Sequence, residues 1–166
     1  MKHVVIFSAI LFALTHCVSA DTKGNGLPSQ DIASPSKGRL APVEGERFIL
    51  SLTSMNWFAA YGFCNQQNTT LLSLELGNTD NKKTQFKAFI NLYHLQDHSY
   101  WIYGNRLEDD VTFRWGLGSL PISYTDWSSG QPDNFGGQQR CIKLFTNLLW
   151  DDEDCFAKYY AVCQKY

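Results

Sequence analysis

The placement of cysteines constrains the fold of this chain more than any other sequence feature. Residues 1–20 have the pattern of a removable export signal, with Lys2, a mainly apolar run over Val4–Leu14 and small residues at Val18-Ser19-Ala20. The run is shorter than the roughly 20 residues that span a bilayer, so we expect a secreted, extracellular protein. Loss of this segment removes Cys17 and leaves four cysteines: Cys64, Cys141, Cys155 and Cys163. An even number in an exported chain predicts two disulfides, in any of three pairings.

The rest of the chain predicts a single folded domain. Residues 21–45 are rich in Gly, Ser and Pro and have no sustained apolar period, which predicts a flexible polar leader. Residues 46–166 are numerous enough to bury a core of their own. The formal net charge of −2 is small, so it favours neither nucleic acid nor a membrane as the partner.

Apolar periodicity predicts two helices in the first half of this domain. Ser54 can cap a helix that carries Trp57, Tyr61 and Cys64 on one stripe. Thr79 or Asp80 can begin a second helix. Its predicted apolar stripe consists of Phe86, Phe89, Ile90 and Tyr93.

From Tyr100 onward the pattern changes to short aromatic and β-branched runs, which predict strands. These runs are Tyr100–Tyr103, Val111–Trp115, Cys141–Phe145 and Tyr159–Cys163. Helices followed by short strands favour an α+β fold with helices flanking antiparallel sheets. Residues 116–140 have little strand character, and so long a loop is usually functional or disordered; Trp127 and Phe135 within it favour a functional loop.

Oxygen donors are clustered in two separate segments of the second half. One segment is Gln131-Pro132-Asp133-Asn134-Phe135 and the other is Leu149-Trp150-Asp151-Asp152. Ca²⁺ binds several oxygen ligands at once. Neither segment contains His or Cys, so a zinc or copper site is not favoured. The sequence therefore predicts a calcium-dependent binding surface.

In order along the chain, these motifs resemble the C-type lectin-like domain over about residues 46–166. Trp101-Ile102-Tyr103-Gly104 resembles that family's core strand, and Tyr124-Thr125-Asp126-Trp127 resembles the turn before its sugar loop. Gln131-Pro132-Asp133 resembles its galactose-type tripeptide, and Trp150-Asp151-Asp152 resembles its tryptophan-led ligand strand. The resemblance implies the family's short form, with disulfides Cys64–Cys163 and Cys141–Cys155.

The resemblance also implies one Ca²⁺ ion per domain and a cis bond between Gln131 and Pro132. The implied metal ligands are Gln131, Asp133, Gln139, Asp151 and Asp152. Gln139 stands where the family usually has Glu, and Asp151 where it usually has Asn, so the number of carboxylates is unchanged. Arg106 occupies a position where a carboxylate for a second ion is expected, and its charge opposes such an ion.

The implied ligand is galactose or N-acetylgalactosamine, because the amide precedes Pro132 and the carboxylate follows it. The implied sugar-contacting residues are Gln131, Asp133, Phe135, Gln139 and Asp151. A flat ring at Phe135 can cover the apolar face of galactose, unless the ring packs inward instead. The expected partners are galactose-type glycans on cell surfaces or glycoproteins. Weak single-domain contacts would favour a homo-oligomer.

Two other functions are open at this point. Paired carboxylates can hydrolyse glycosidic bonds, but the chain has no G-x-S-x-G, Cys/His couple or H-E-x-x-H motif, so we expect no enzyme. A lectin-like domain that has lost sugar binding and recognises protein surfaces is the other alternative, and Gln139 and Arg106 favour it. Asn68-Thr69-Thr70 is an N-glycosylation acceptor sequence.

Overall fold

A computed structural model describes residues 42–74 and 79–166. The expected export signal and almost all of the expected leader lie outside the described residues. No helix in the described ranges is long and apolar enough to cross a membrane.

Both predicted helices are present. Helix α1 spans Trp57–Gln66 and helix α2 spans Thr79–Leu92. The predicted cap of α1 is wrong by two residues: Asn56 caps the helix, and its side chain accepts a hydrogen bond of 2.8 Å from the backbone N–H of Ala59. Asn and Ser are equally good caps, so propensity alone could not choose between them.

Eight strands accompany the helices within the described residues, and several of them are only two residues long. They are β1 Val43–Glu44, β2 Phe48–Leu50, β3 Thr70–Leu71, β4 Tyr100–Asn105, β5 Arg114–Trp115, β6 Gln139–Leu144, β7 Trp150–Asp154 and β8 Tyr160–Gln164. The predicted strand Val111–Trp115 shrinks to its last two residues. The backbone N–H groups of Val111 and Thr112 donate to the Asp109 carboxylate at 2.9 and 2.7 Å, which makes a turn there instead of a ladder.

The strands form one sheet in the order β1-β2-β8-β4-β6-β7. In addition, β3 pairs with β8 and β5 pairs with β4. The prediction of purely antiparallel pairing is wrong for one pair, because β4 and β8 run parallel. All other pairs are antiparallel. This central pairing places the last strand of the chain beside β4.

Alternate residues of β4 belong to different hydrophobic clusters. Tyr100 and Ile102 pack in the cluster that includes Phe86 of α2, whereas Trp101 packs in the cluster that includes Trp57 of α1. Since successive side chains of a strand point to opposite faces, the two helices cover opposite faces of the sheet. The fold is therefore a mixed sheet between two helical layers.

Both disulfides implied by the family resemblance are present. Cys64 of α1 is bonded to Cys163 of β8, and Cys141 of β6 is bonded to Cys155, which directly follows β7. The sequence separations are 99 and 14 residues. The longer bridge ties the first helix to the last strand, and the shorter one holds β6 and β7 together next to the oxygen-rich segments.

Candidate functional site

The candidate site is the segment between Gln131 and Gln139, hereafter the 131–139 loop. Its first peptide bond, Gln131–Pro132, is cis as expected. The chain that enters the loop is anchored to β7, because the backbone N–H of Ser128 donates to the carbonyl of Trp150 at 2.8 Å. The loop therefore begins beside the first residue of β7 and ends in β6.

Two backbone amides gather oxygen atoms from separate parts of the sequence. The amide of Asp133 donates to Oε1 of Gln131 and to Oδ1 of Asp152, each at 3.0 Å. The amide of Phe135 donates to Oδ1 of Asp133 at 3.1 Å and to Oε1 of Gln139 at 2.7 Å. Four of the five predicted metal ligands are thus linked at one place, although two of them are far apart in sequence.

Asp152 connects the loop to the sheet. Its carboxylate is fully buried and accepts hydrogen bonds from the amides of Asp133 and Asn134, and its Oδ2 lies 3.2 Å from Nη2 of Arg106. Burial raises the pKa of Asp152, and this effect is opposed by the two amides and by Arg106. The residue is therefore a structural hub of the loop as well as an oxygen donor.

Asp151 is not linked to the other four predicted ligands. Its carboxylate lies 3.0 Å from the ammonium group of Lys143, which is its direct cross-strand neighbour on β6. The same ammonium group donates to Glu153 at 2.6 Å. Asp151 and Glu153 are two residues apart on β7, so they share the face opposite to that of Asp152.

The ammonium group of Lys143 and the carboxylates of Asp151 and Glu153 stabilise one another electrostatically. Burial would lower the pKa of Lys143, but hydrogen bonds with Glu153, Tyr159 and Asp151 outweigh burial and raise it. Burial raises the pKa of Asp151 despite the neighbouring ammonium group. The hydrogen-bonded ammonium group lowers the pKa of Glu153 in spite of burial. Lys143 is therefore a charged residue within the strand, and the carboxylate of Asp151 is paired with its ammonium group.

Phe135 projects from the loop with 80% of its surface exposed, so the inward-packed alternative for this ring is wrong. The backbone on either side needs unusual conformations. Asn134 has φ of 47° and its side chain accepts a hydrogen bond from the amide of Gln139, whereas Gly136 and Gly137 have φ of 68° and 74°. Glycine adopts such values without steric cost, which lets the loop present the ring.

The oxygen atoms gathered at the site suit a hard cation, because all four are side-chain oxygens, three from the 131–139 loop and one from Asp152 of β7, and two of them belong to carboxylates. The third expected carboxylate, Asp151, is directed to Lys143 instead. Within the described ranges no group of three or more His, Cys, Asp and Glu side chains is arranged to hold a metal. A cation at this loop would therefore depend on the amide oxygens of Gln131 and Gln139.

Sequence reasoning missed Lys143 and the contacts of Arg106. A signal was available for Lys143, since a lysine between Ile142 and Leu144 in a strand buried on both sides needs a charged partner. Asp110 is also paired, since its carboxylate forms a salt bridge with the guanidinium group of Arg140. The carboxylate and guanidinium thus already neutralise each other at that place.

The chain belongs to the C-type lectin domain family, since the family model described as "Lectin C-type domain" matches residues 53–165. C-type lectin 37Db of Drosophila melanogaster is 29% identical over 136 residues, which cover 80% of this chain and 86% of that protein. C-type lectin 16 of Aedes aegypti is 24% identical over 125 residues, covering 72% and 81%.

Solved structures agree with this assignment. TC14, a C-type lectin from the tunicate Polyandrocarpa misakiensis, superposes with a TM-score of 0.56 at 27% identity, covering 72% of this chain and 96% of that one. Proteins of this family generally bind carbohydrates, typically with calcium, and are generally not enzymes.

Proposed function

We propose that this protein is a secreted lectin that binds galactose or N-acetylgalactosamine groups at the 131–139 loop with the help of one calcium ion. The observation that carries the proposal is the convergence of Gln131, Asp133, Gln139 and Asp152 oxygens on two shared amides. An exposed aromatic ring, Phe135, lies in the same loop. Oxygen donors beside an exposed ring suit a ligand that is polar at its hydroxyls and apolar on one face.

Each residue of the loop has a distinct role in this proposal. Gln131 can donate a hydrogen bond through its amide nitrogen, and Asp133 can accept one through its carboxylate. Together they can bind two neighbouring hydroxyl groups of the sugar. Phe135 packs on the apolar face of the sugar ring. Calcium, when bound, supplies coordination positions for sugar hydroxyls. Asp151 has no contact with the sugar or the ion in this proposal, because its carboxylate is paired with Lys143.

The charge of the loop favours weak calcium binding. Among the described residues only two carboxylates are available at the site, that of Asp133 in the loop and that of Asp152 on β7, and Arg106 partly neutralises the second. Ligand charge and rigidity set calcium affinity, so we expect a dissociation constant near 10⁻⁴–10⁻³ M, the range of extracellular modules.

Retention on galactose–agarose tests the proposal. The protein should bind in millimolar calcium and elute with EDTA, and mannose–agarose should retain less. Asp133→Ala should abolish retention, whereas Asp97→Ala, at an exposed residue remote in sequence from the loop, should not change it. Retention that is unaffected by both EDTA and Asp133→Ala would show that the protein binds the matrix without calcium and outside the 131–139 loop, which would refute the proposal.

Two further features belong to the same proposal. Cleavage after Ala20 should give a secreted chain that begins at Asp21, which N-terminal sequencing of the product can verify. Asn68 is exposed, so a glycan at this position should be removable by an amidase with the corresponding loss of mass. Multivalent binding would require a homo-oligomer, which sedimentation velocity can detect.

The alternative of a lectin-like domain for protein surfaces is not favoured, since the relatives reported above carry the name of lectins. It predicts no retention on any sugar matrix and no effect of calcium on the loop. The experiment above therefore separates the two functions.

A further inference from the structure

We infer that Arg106 is a positioning residue that serves as a built-in counter-ion of Asp152 and holds the 131–139 loop on β7 when no calcium is bound. The inference deepens the proposed function, since it concerns the same loop. Its first half, the metal-free shape of the loop, does not depend on sugar or calcium binding. Its second half, competition with calcium, rests on the proposed function.

The guanidinium group of Arg106 joins the two ends of the site. Its Nη2 lies 3.2 Å from Oδ2 of Asp152 on β7, and its Nε and Nη2 donate to the carbonyl oxygen of Gln139 at 3.0 and 2.6 Å. The side chain of Arg106 is 13% exposed and that of Asp152 is 0% exposed. The contact is therefore well shielded from solvent.

The position of Arg106 is itself fixed. The residue directly follows β4, and its backbone N–H donates to the carbonyl of Arg140 at 2.8 Å. The guanidinium group lies 5.0 Å from the centre of the Phe113 ring, where cation–π attraction restrains it further. The planar guanidinium group can donate to the carbonyl of Gln139 and to the carboxylate of Asp152 at the same time. The single ammonium group of lysine cannot reproduce this arrangement of donors.

The carboxylate of Asp152 needs a cation because it is fully buried. Two amides, those of Asp133 and Asn134, bind its oxygens, and a buried charge without an opposite charge is costly. Arg106 supplies that charge from within the chain. The network of Arg106, Asp152 and the two amides is therefore complete without a metal ion.

The same geometry makes Arg106 a competitor of calcium. A positive charge at Asp152 repels a divalent ion at the neighbouring oxygens. Loss of the charge should thus loosen the metal-free loop and tighten calcium binding. A merely structural residue would produce the first effect without the second.

Hydrogen exchange in EDTA tests the first effect, on the wild type, Arg106→Gln, Arg106→Lys and the control Arg114→Gln. Arg114 pairs with Glu108 and Asp109 and donates to the carbonyl of Ser119, all of which lie outside the loop. In Arg106→Gln the amides of Asp133 and Asn134 should exchange at least about tenfold faster than in the wild type, as expected when charge-assisted bonds are lost. Arg106→Lys should be intermediate, and Arg114→Gln should match the wild type.

The amide of Tyr103, which donates to the carbonyl of Leu72 at 2.9 Å, is the reference for global unfolding. Its exchange should stay unchanged in all variants that fold. If Arg106→Gln does not fold, the comparison of Arg106→Lys with the wild type decides. Equal exchange of the loop amides in EDTA in the wild type and in the folded Arg106 variant would overturn the inference.

Calorimetric titration with calcium tests the second effect. Arg106→Gln should bind calcium at least about fivefold more tightly than the wild type, because one opposing charge is removed, and Arg114→Gln should bind as the wild type does. Equal affinities in Arg106→Gln and the wild type would overturn the competition. Absence of calcium binding in every variant would refute the proposed calcium site, whereas the exchange measurement in EDTA would still decide whether Arg106 holds the loop.

Discussion

The ammonium group of Lys143 lies 3.0 Å from the carboxylate of Asp151, its direct partner across the β6–β7 ladder. Both side chains are less than a tenth exposed. Oδ1 of Asp151 is buried and has no hydrogen-bond partner among the described residues. The pair is therefore close but incompletely satisfied, and each member depends on the other for compensation of its charge.

Lys143→Met should destabilise the domain by about 3–5 kcal/mol, since it leaves the buried carboxylate of Asp151 and the partly buried carboxylate of Glu153 without their cation. The double variant Lys143→Met/Asp151→Leu should recover part of this loss. Urea unfolding followed by tryptophan fluorescence measures both. Lys158→Met, at an exposed residue, is the control and should change the free energy of unfolding by less than about 0.5 kcal/mol. A cost below about 1 kcal/mol for Lys143→Met would mean that the pair is not important for stability.

Removal of the Cys141–Cys155 bond should weaken calcium binding before it unfolds the domain. The bond closes a loop with a separation of 14 residues that carries Asp152. Its loss should cost about 3 kcal/mol of stability in the chain-entropy model. Calorimetry on Cys141→Ser/Cys155→Ser, at a temperature where circular dichroism shows a folded domain, measures the calcium affinity. An affinity equal to that of the wild type would contradict the prediction.

Phe135→Ala should weaken sugar binding by about five- to tenfold, which corresponds to the loss of one aromatic contact. The ring is 80% exposed, so the free energy of unfolding should change by less than about 0.5 kcal/mol. Titration with N-acetylgalactosamine and urea unfolding provide the two measurements. Phe156→Ala, at another exposed ring, is the matched control. Equal sugar affinities in both variants and the wild type would remove Phe135 from the site.

Gln139→Glu should tighten calcium binding by about tenfold, because it adds a carboxylate where Oε1 of Gln139 already meets the amide of Phe135 at 2.7 Å. Gln138→Glu adds the same charge one residue earlier, where the side chain contacts Arg140 instead, and should have a smaller effect. Calorimetric titration distinguishes the two. A neutral result at Gln139 would place this residue outside the metal site.

Exchange of the groups that flank Pro132 should change sugar preference. In Gln131→Glu/Asp133→Asn the carboxylate precedes the proline and the amide follows it, which reverses the order from which galactose preference is proposed. The ratio of galactose to mannose affinity should fall by at least about tenfold, as is typical when a buried or positioned hydrogen bond is mismatched. Competitive elution from galactose–agarose provides the measurement. An unchanged ratio would reject the assignment of specificity to these two residues.

The sequence predicted the long elements of this fold better than the short ones. Helix α1 carries Trp57 and Cys64 with helical spacing, and β4 contains a run of aromatic and β-branched residues, so both were recognisable. Strands β1, β3 and β5 contain two residues each, which is too few for a period to define their bounds; β1 and β3 were not predicted, and β5 was predicted three residues too long. Their pairing is decided by tertiary contacts with β2, β8 and β4.

The same distinction applies to the site. Motifs adjacent in sequence identified Gln131, Asp133 and Asp152 as candidates, and the structure places oxygens of Gln131 and Asp152 on the amide of Asp133. The position of Asp151 could not be predicted, because it depends on the register that sets Lys143 opposite Asp151. A register shift of one residue would have turned that side chain to the other face.

The bond between Cys64 and Cys163 has a mechanical consequence. Tension applied between the two ends of the chain would pass directly from residue 64 to residue 163 through the sulfur atoms. The intervening residues 65–162, which include the 131–139 loop, would lie in parallel with that covalent link and carry none of the force. A domain of this design could therefore be tethered at both ends and placed under tension without mechanical load on its binding surface.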